Sequence, residues 1–104
     1  GLVEASPLQE DLARTNALTE HDLEDWYMFT VTDATEGGAS YQIDLTTNDK
    51  ADCVINPWTD AVVFGDIPLC NAKILLSNGT YYIRVRHPVP LAGKAVYTIV
   101  LRKF

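Results

Sequence analysis

The sequence predicts an all-β protein: an antiparallel β-sandwich of about seven to eight strands. Three observations carry this. Apolar and polar residues alternate with a period of two through several short segments. Turn-forming residues interrupt those segments at intervals of roughly 8–12 residues. No long segment carries a period of 3.6, so helix is a minor component. With 104 residues, 47% of them hydrophobic and 21% charged, the chain is long enough to bury one core.

The elements follow in order. Residues 1–19 are weakly patterned and read as an N-terminal arm. Within it, "SPLQEDLARTNAL" suits one helical turn or an extended segment laid across the core. The sandwich then takes residues 20–104. "DWYMFTV" puts Tyr27, Phe29 and Val31 on one face and Trp26, Met28 and Thr30 on the other. "DATEGG" ends that strand as a turn. "SYQIDLT" alternates again, with Tyr41, Ile43 and Leu45 together. "TNDKAD" is a polar loop, "CVI" a short strand and "NPWTD" a second turn. "AVVF" and "AKILL" are short apolar runs separated by "GDIPLCN".

"SNG" tolerates the backbone of a tight turn and leads into "TYYIRVR". There Tyr81, Ile83 and Val85 point inward, and Tyr82, Arg84 and Arg86 point outward. "HPVPLAGK" carries two prolines and cannot be a central strand. "AVYTIVL" closes the fold with Tyr97, Ile99 and Leu101 on one face.

The charge balance excludes some partners. Eight basic and 14 acidic residues give a net charge of −6. Phosphate binding needs clustered Lys and Arg, so nucleic acid is not expected. Docking on an anionic membrane is disfavoured for the same reason. No apolar run approaches the roughly 20 residues of a membrane span. The start has neither a basic n-region nor an apolar h-region, so no signal peptide is read, and the chain suits a mature form or an excised domain.

The two cysteines, Cys53 and Cys70, are separated by 16 residues. They form either a disulfide or a pair of buried free thiols. A bridge would add about 3 kcal/mol in the chain-entropy model and imply an oxidising, secreted setting. His21 and His87 show no metal-ligand spacing to them. Catalysis has no support. Ser6, Ser40 and Ser77 lie in no nucleophile elbow, and nothing in the pattern selects a carboxylate pair. Asn78 begins "NGT", which fits a glycosylation sequon in a surface turn and equally well a plain turn.

The segments "DLEDWYMFTV", "SYQIDL", "ADCVI", "NGTYYIRVRH" and "AVYTIVL", in that order, resemble the bacterial pre-peptidase C-terminal domain. That family includes the collagen-binding modules of clostridial collagenases. The resemblance spans about residues 16–102, and "DWYMFTV" and "NGTYYIRV" are its specific parts. It implies a jelly-roll-like sandwich that is a non-catalytic accessory module of a secreted hydrolase, most often a peptidase. Such a module would serve secretion, processing or binding to the substrate matrix. Its partner would be a collagen-like protein, a polysaccharide or the parent catalytic domain.

Two constellations then become candidates. In the calcium-binding members, an Asp-x-x-Asp-aromatic element supplies part of a metal cage. Asp22, Asp25 and the carbonyl of Trp26 match it, beside Glu20 and Glu24. A solvated acidic turn accounts for the same residues. The second is an outward aromatic and cationic set, Trp26, Trp58, Tyr82, Arg84 and Arg86, suited to stacking on a sugar ring or a collagen helix. Asn48, Asp49 and Asp52 read as a plain turn. The alternative function is a free-standing secreted binding protein, an inhibitor or adhesin, that acts on a protein partner through its loops. An immunoglobulin-type domain is the weaker structural alternative, because Cys53 and Cys70 are too close in sequence for that fold's inter-sheet bridge.

Overall fold

The computed structural model describes residues 5–47, 52–59, 62–63, 70–87 and 93–104, with side chains described for all of these except 52–59 and 62–63. These residues form two facing sheets. The elements are β1 (Ser6–Pro7), β2 (Arg14–Thr19), β3 (Glu24–Val31), β4 (Ala39–Thr47), β5 (Asp52–Thr59), β6 (Val62–Val63), β7 (Lys73–Leu76), β8 (Gly79–Arg86) and β9 (Lys94–Lys103). One sheet has the order β1-β3-β8-β5-β6 and the other β2-β9-β4-β7. All pairings are antiparallel except the short β1–β3 contact. Most consecutive strands therefore lie in opposite sheets, as a jelly-roll-like sandwich requires.

The period of two sets which side chains meet. Tyr27, Phe29 and Val31 of β3 and Tyr81, Ile83 and Val85 of β8 face Tyr41 and Ile43 of β4 and Tyr97, Ile99 and Leu101 of β9 in one buried cluster. The aromatic rings interlock across the sheets. Phe29 stacks on Tyr81 in its own sheet at 5.5 Å and packs against Tyr41 of the other sheet at 5.5 Å. Fully burying one such side chain stabilises the fold by about 1.5–3 kcal/mol, so this face outweighs local propensity.

Two expectations need correcting. In the stretch read as an N-terminal arm, the described residues 5–19 contribute strands to the sandwich itself. β1 and β2 both come from that stretch, and β2 pairs along its whole length with β9. Leu8 and Leu18 belong to the core. The alternation of β2 is obscured because Arg14 and Asn16 occupy the same parity as Leu18, opposite the inward Ile99 and Tyr97. Polar residues at inward positions hide a strand from a pattern reading, and here they mark the end of the sandwich that stays polar.

The second correction is at "NPWTD". β5 does not stop at Ile55 but continues through Asn56, Pro57 and Trp58 to Thr59, in register with β8. Among the described residues, β6 pairs only with Trp58 and Thr59.

The β3–β4 loop is fixed by its own chemistry. Gly38 has φ +88° and lies so close to β7 that a Cβ would stand 3.2 Å from the Leu76 carbonyl oxygen. The Ala34 backbone N–H donates to Asn78 Oδ1 at 2.8 Å, which ties this loop to the turn before β8. Asn78 thus has a structural role independent of any glycan. Asn71, with φ 64°, uses its side-chain amide on both the N–H and the carbonyl of Leu45.

Candidate functional site

One end of the sandwich holds a polar pocket of about 190 Å³ lined by Ser6, Arg14, Asn16, Asp22, Glu24, Asp25, Trp26 and Tyr27. Four short pieces of chain build it. Ser6 comes from β1 and Arg14 and Asn16 from β2. Asp22 closes a turn whose backbone is held by reciprocal hydrogen bonds with Thr19 at 2.9 and 3.1 Å. The remaining four open β3. Asp22 and Asp25, paired in sequence as candidate metal ligands, do share this pocket, as does Trp26. Among the described residues, however, no group of three or more His, Cys, Asp or Glu converges closely enough to hold a metal ion. Glu20 pairs instead with His21 at 3.4 Å on the exposed turn.

The floor of the pocket is a hydrogen-bonded chain that the sequence did not reveal. The Tyr97 hydroxyl of β9 donates to Asp25 Oδ2. A phenol has one proton, so Tyr97 accepts from Tyr27, whose hydroxyl lies 2.6 Å away. Both bonds therefore point the same way: Tyr27 to Tyr97 to Asp25. Asn16 lines the same pocket as Tyr27, and its Oδ1 accepts the Ala17 N–H at 2.8 Å. Tyr27 and Tyr97 carried only an inward parity in sequence, and nothing there showed that their hydroxyls would meet.

Burial pushes the Asp25 carboxyl above its ordinary range. The Tyr97 hydrogen bond acts against that shift and the nearby Asp22 charge adds to it. Both phenols are also raised, first by burial. Arg14 stands over the Tyr27 ring at 5.9 Å, and its guanidinium donates to the Pro7 carbonyl at 3.1 Å. Among the described residues, no cation lies within ion-pair distance of Asp22, Glu24 or Asp25. The salt bridges fall elsewhere, as with Arg102, which pairs with Asp44 and, at 3.8 Å, with Asp11.

The outward set divides between this pocket and a face. Trp26 is opposite Arg84 in the β3–β8 register, Glu24 opposite Arg86, and Met28 opposite Tyr82. Trp26, Tyr82, Arg84 and Arg86 therefore lie on one half-buried outer face. Arg84 sits over the Trp26 ring at 5.7 Å, and the indole N–H donates to Glu24 Oε1 at 3.1 Å. By backbone register Trp58 stands opposite Thr80, one row beyond Tyr82; its side chain lies outside the described ones. Cys53 stands opposite the buried Val85 in β8, and its side chain is likewise outside them. Cys70 bridges Ile43 of the other sheet, packs against the core and carries no free thiol. Asn48 and Asp49 fall outside the described residues.

No protein-family model and no curated protein matches this chain. A solved structure does. Salmonella Typhimurium PliG, a periplasmic lysozyme inhibitor of g-type lysozyme, is similar with a TM-score of 0.65 at 15% sequence identity, over 95% of this chain and 99% of that one. At that identity the likeness establishes the β-sandwich fold.

Proposed function

We propose that this protein is a non-catalytic, extracytoplasmic binding protein of the inhibitor type that engages a basic protein partner. The observation that carries it is the likeness to PliG over nearly the full length of both chains. A sandwich of similar fold and length is there a periplasmic lysozyme inhibitor. The net charge of −6 and the three carboxylates at one end of the sandwich, which have no ion-pair partner among the described residues, suit a partner of opposite charge. The half-buried aromatic and arginine face of β3 and β8 offers a second contact area, to the same partner or to none. Mixing the protein with purified g-type lysozyme, and separately with lysozymes of other types, and following cell-wall lysis tests this reading. It expects stoichiometric loss of lysis with at least one type that weakens as salt is raised. Undiminished lysis throughout, with no complex on a sizing column, removes it.

A second reading keeps the accessory module of a secreted hydrolase. It is supported by the pairing of the two motif-bearing strands, β3 and β8, along their whole lengths. In it, Asp22, Asp25 and the Trp26 carbonyl take calcium, and Trp26, Trp58, Tyr82, Arg84 and Arg86 face a collagen-like or polysaccharide matrix. Retention on insoluble collagen, chitin or cellulose that falls with Trp26→Ala and Tyr82→Ala favours this reading over the inhibitor. We further read Cys53 and Cys70 as a disulfide. Their backbone neighbours, Val85 and Ile43, belong to opposite sheets, so the bond would staple the sandwich across its core.

A further inference from the structure

We propose that the Asn16 side chain holds the outer edge of β2 closed, and that without it this edge pairs with the β2 edge of a second copy of this chain. The inference is independent of which partner the protein binds.

An outer strand presents a row of N–H and C=O groups to any strand that comes alongside. Among the described residues the outer strands are β1 and β6, with two residues each, β7 with four and β2 with six. Shortness blunts the others as pairing edges, so β2 is the one that needs a guard.

The direction of its backbone groups follows from its partners. Thr19 and Asp22 exchange N–H to carbonyl bonds at 2.9 and 3.1 Å. Thr19 therefore turns its backbone groups away from β9, although it stands opposite Lys94. These directions alternate along an antiparallel strand, so the groups of Ala17 and Thr15 turn outward as well. The Thr15 and Thr98 hydroxyls agree with this. The two residues stand opposite each other and their oxygens meet at 2.9 Å. Side chains approach most closely in the pairs that exchange no backbone bond.

One donor on this edge is closed from within. The Ala17 N–H donates to Asn16 Oδ1 at 2.8 Å. The N–H and carbonyl of Thr15 and the carbonyl of Ala17 make no hydrogen bond among the described residues. Asparagine is a poor strand former, because its side chain competes for nearby backbone groups. In the middle of β2 that competition has a use.

The outward groups are self-complementary. Two β2 strands related by a two-fold axis at Asn16 place Thr15 of one copy opposite Ala17 of the other. An antiparallel hydrogen-bonded pair needs each residue to give its N–H to the other's carbonyl. Thr15 can do so. Ala17 cannot while Asn16 holds its N–H. The Thr19–Asp22 bonds stop the pairing from running further along the strand, so the Ala17 donor decides it.

Sedimentation equilibrium of the full chain, from micromolar to millimolar protein in salt that screens the net charge of −6, tests this. The parent should stay monomeric. Asn16→Val should form dimers, with self-association at least about tenfold tighter than the parent's. Asn16→Asp keeps the side-chain acceptor and should stay monomeric. Thr15→Pro added to Asn16→Val should return the monomer, since it removes an outward N–H without touching the bonds to β9. Each variant is checked for an intact melting transition, and Asn16→Ala, which also lacks the acceptor, repeats the test if valine disturbs folding. In the dimer the Ala17 amide should exchange more slowly as protein concentration rises. A parent that dimerises, Asn16→Val and Asn16→Ala that both remain monomeric at millimolar concentration, or association that survives Thr15→Pro overturns the proposal.

Discussion

The Tyr97 hydroxyl on β9 donates its proton to the Asp25 carboxylate on β3, joining the two sheets where the core meets a polar pocket. The buried cluster between the sheets is apolar and aromatic. The contact of Tyr97 with Asp25 is directional, and it sets both the stability and the charge of that end.

Tyr97→Phe should therefore destabilise the protein by about 1–3 kcal/mol, although the ring and its packing survive. The loss strands two groups at once. Asp25 loses its donor, and the Tyr27 hydroxyl, which is almost wholly buried, loses its acceptor. Tyr27→Phe should cost less, about 0.5–1.5 kcal/mol, because Tyr97 still serves Asp25. Denaturant unfolding of both variants checks the order. Equal losses would show that the chain does not run in the direction the proton count requires. Titration of the Asp25 carboxyl by NMR should also find it raised further in Tyr97→Phe, since the hydrogen bond that holds it down is gone.

Two carboxylates should give pH effects of opposite sign. Asp25 is raised above 3.8 by burial, so its protonated form favours folding. That contribution is fully present below 3.8 and is lost as pH rises through the raised value. Asp44 is lowered below 3.8, chiefly by the Gln42 amide and then by Arg102. Its contribution is present above 3.8 and is lost as pH falls through the lowered value. Asn at position 25 keeps an oxygen for Tyr97. Asp25→Asn should thus melt higher than the parent at neutral pH and converge with it on acidification. Asp44→Asn should melt lower at neutral pH and converge at strongly acid pH. Melting curves across pH 3–8 read the two differences directly, and like signs would contradict the assignment.

The same contrast explains what a reader of the sequence could see. The inward set of β3, β4, β8 and β9 was legible because burial obliges every second residue to be apolar, and Tyr27, Phe29, Tyr81, Ile83, Tyr97 and Ile99 obey. β2 was illegible because Arg14 and Asn16 occupy inward positions to line a pocket instead of the core. Asp22, Asp25 and Trp26 were visible as a local pattern. Their partners were not, because Asn16 and Tyr97 are 81 residues apart and meet only through the β2–β9 register. Pairings between distant strands leave no mark in a local window, and the chain of hydroxyls consists entirely of such pairings.

Adjacent glycines make a paired test of the β3–β4 loop. Gly38→Ala should cost about 1–2 kcal/mol, because an alanine at φ +88° is strained and its Cβ meets the Leu76 carbonyl at 3.2 Å, with backbone unable to give way. Gly37→Ala meets nothing within 4 Å. It should change stability by no more than about 0.5 kcal/mol. Chemical denaturation separates the two. A Gly37 effect as large as that at Gly38 would mean the loop is not held against β7.

The last expectation concerns the staple. Cys70 packs against the core at its bridge to Ile43, and the Cys53 backbone lies beside Val85 in the facing sheet. A bond between them would close 16 intervening residues, which the chain-entropy model values at about 3 kcal/mol. The untreated protein should take up no thiol reagent when unfolded, and two equivalents after reduction. Reduction, or Cys70→Ser together with Cys53→Ser, should lower the unfolding free energy by about 2–4 kcal/mol and leave the strand signature in the far ultraviolet. The loss should be greatest in the unfolding rate if β5 separates from the opposite sheet late in unfolding, and greatest in the folding rate if the staple organises the nucleus. Two reactive thiols in the untreated, unfolded protein would replace the staple with a pair of ordinary core cysteines.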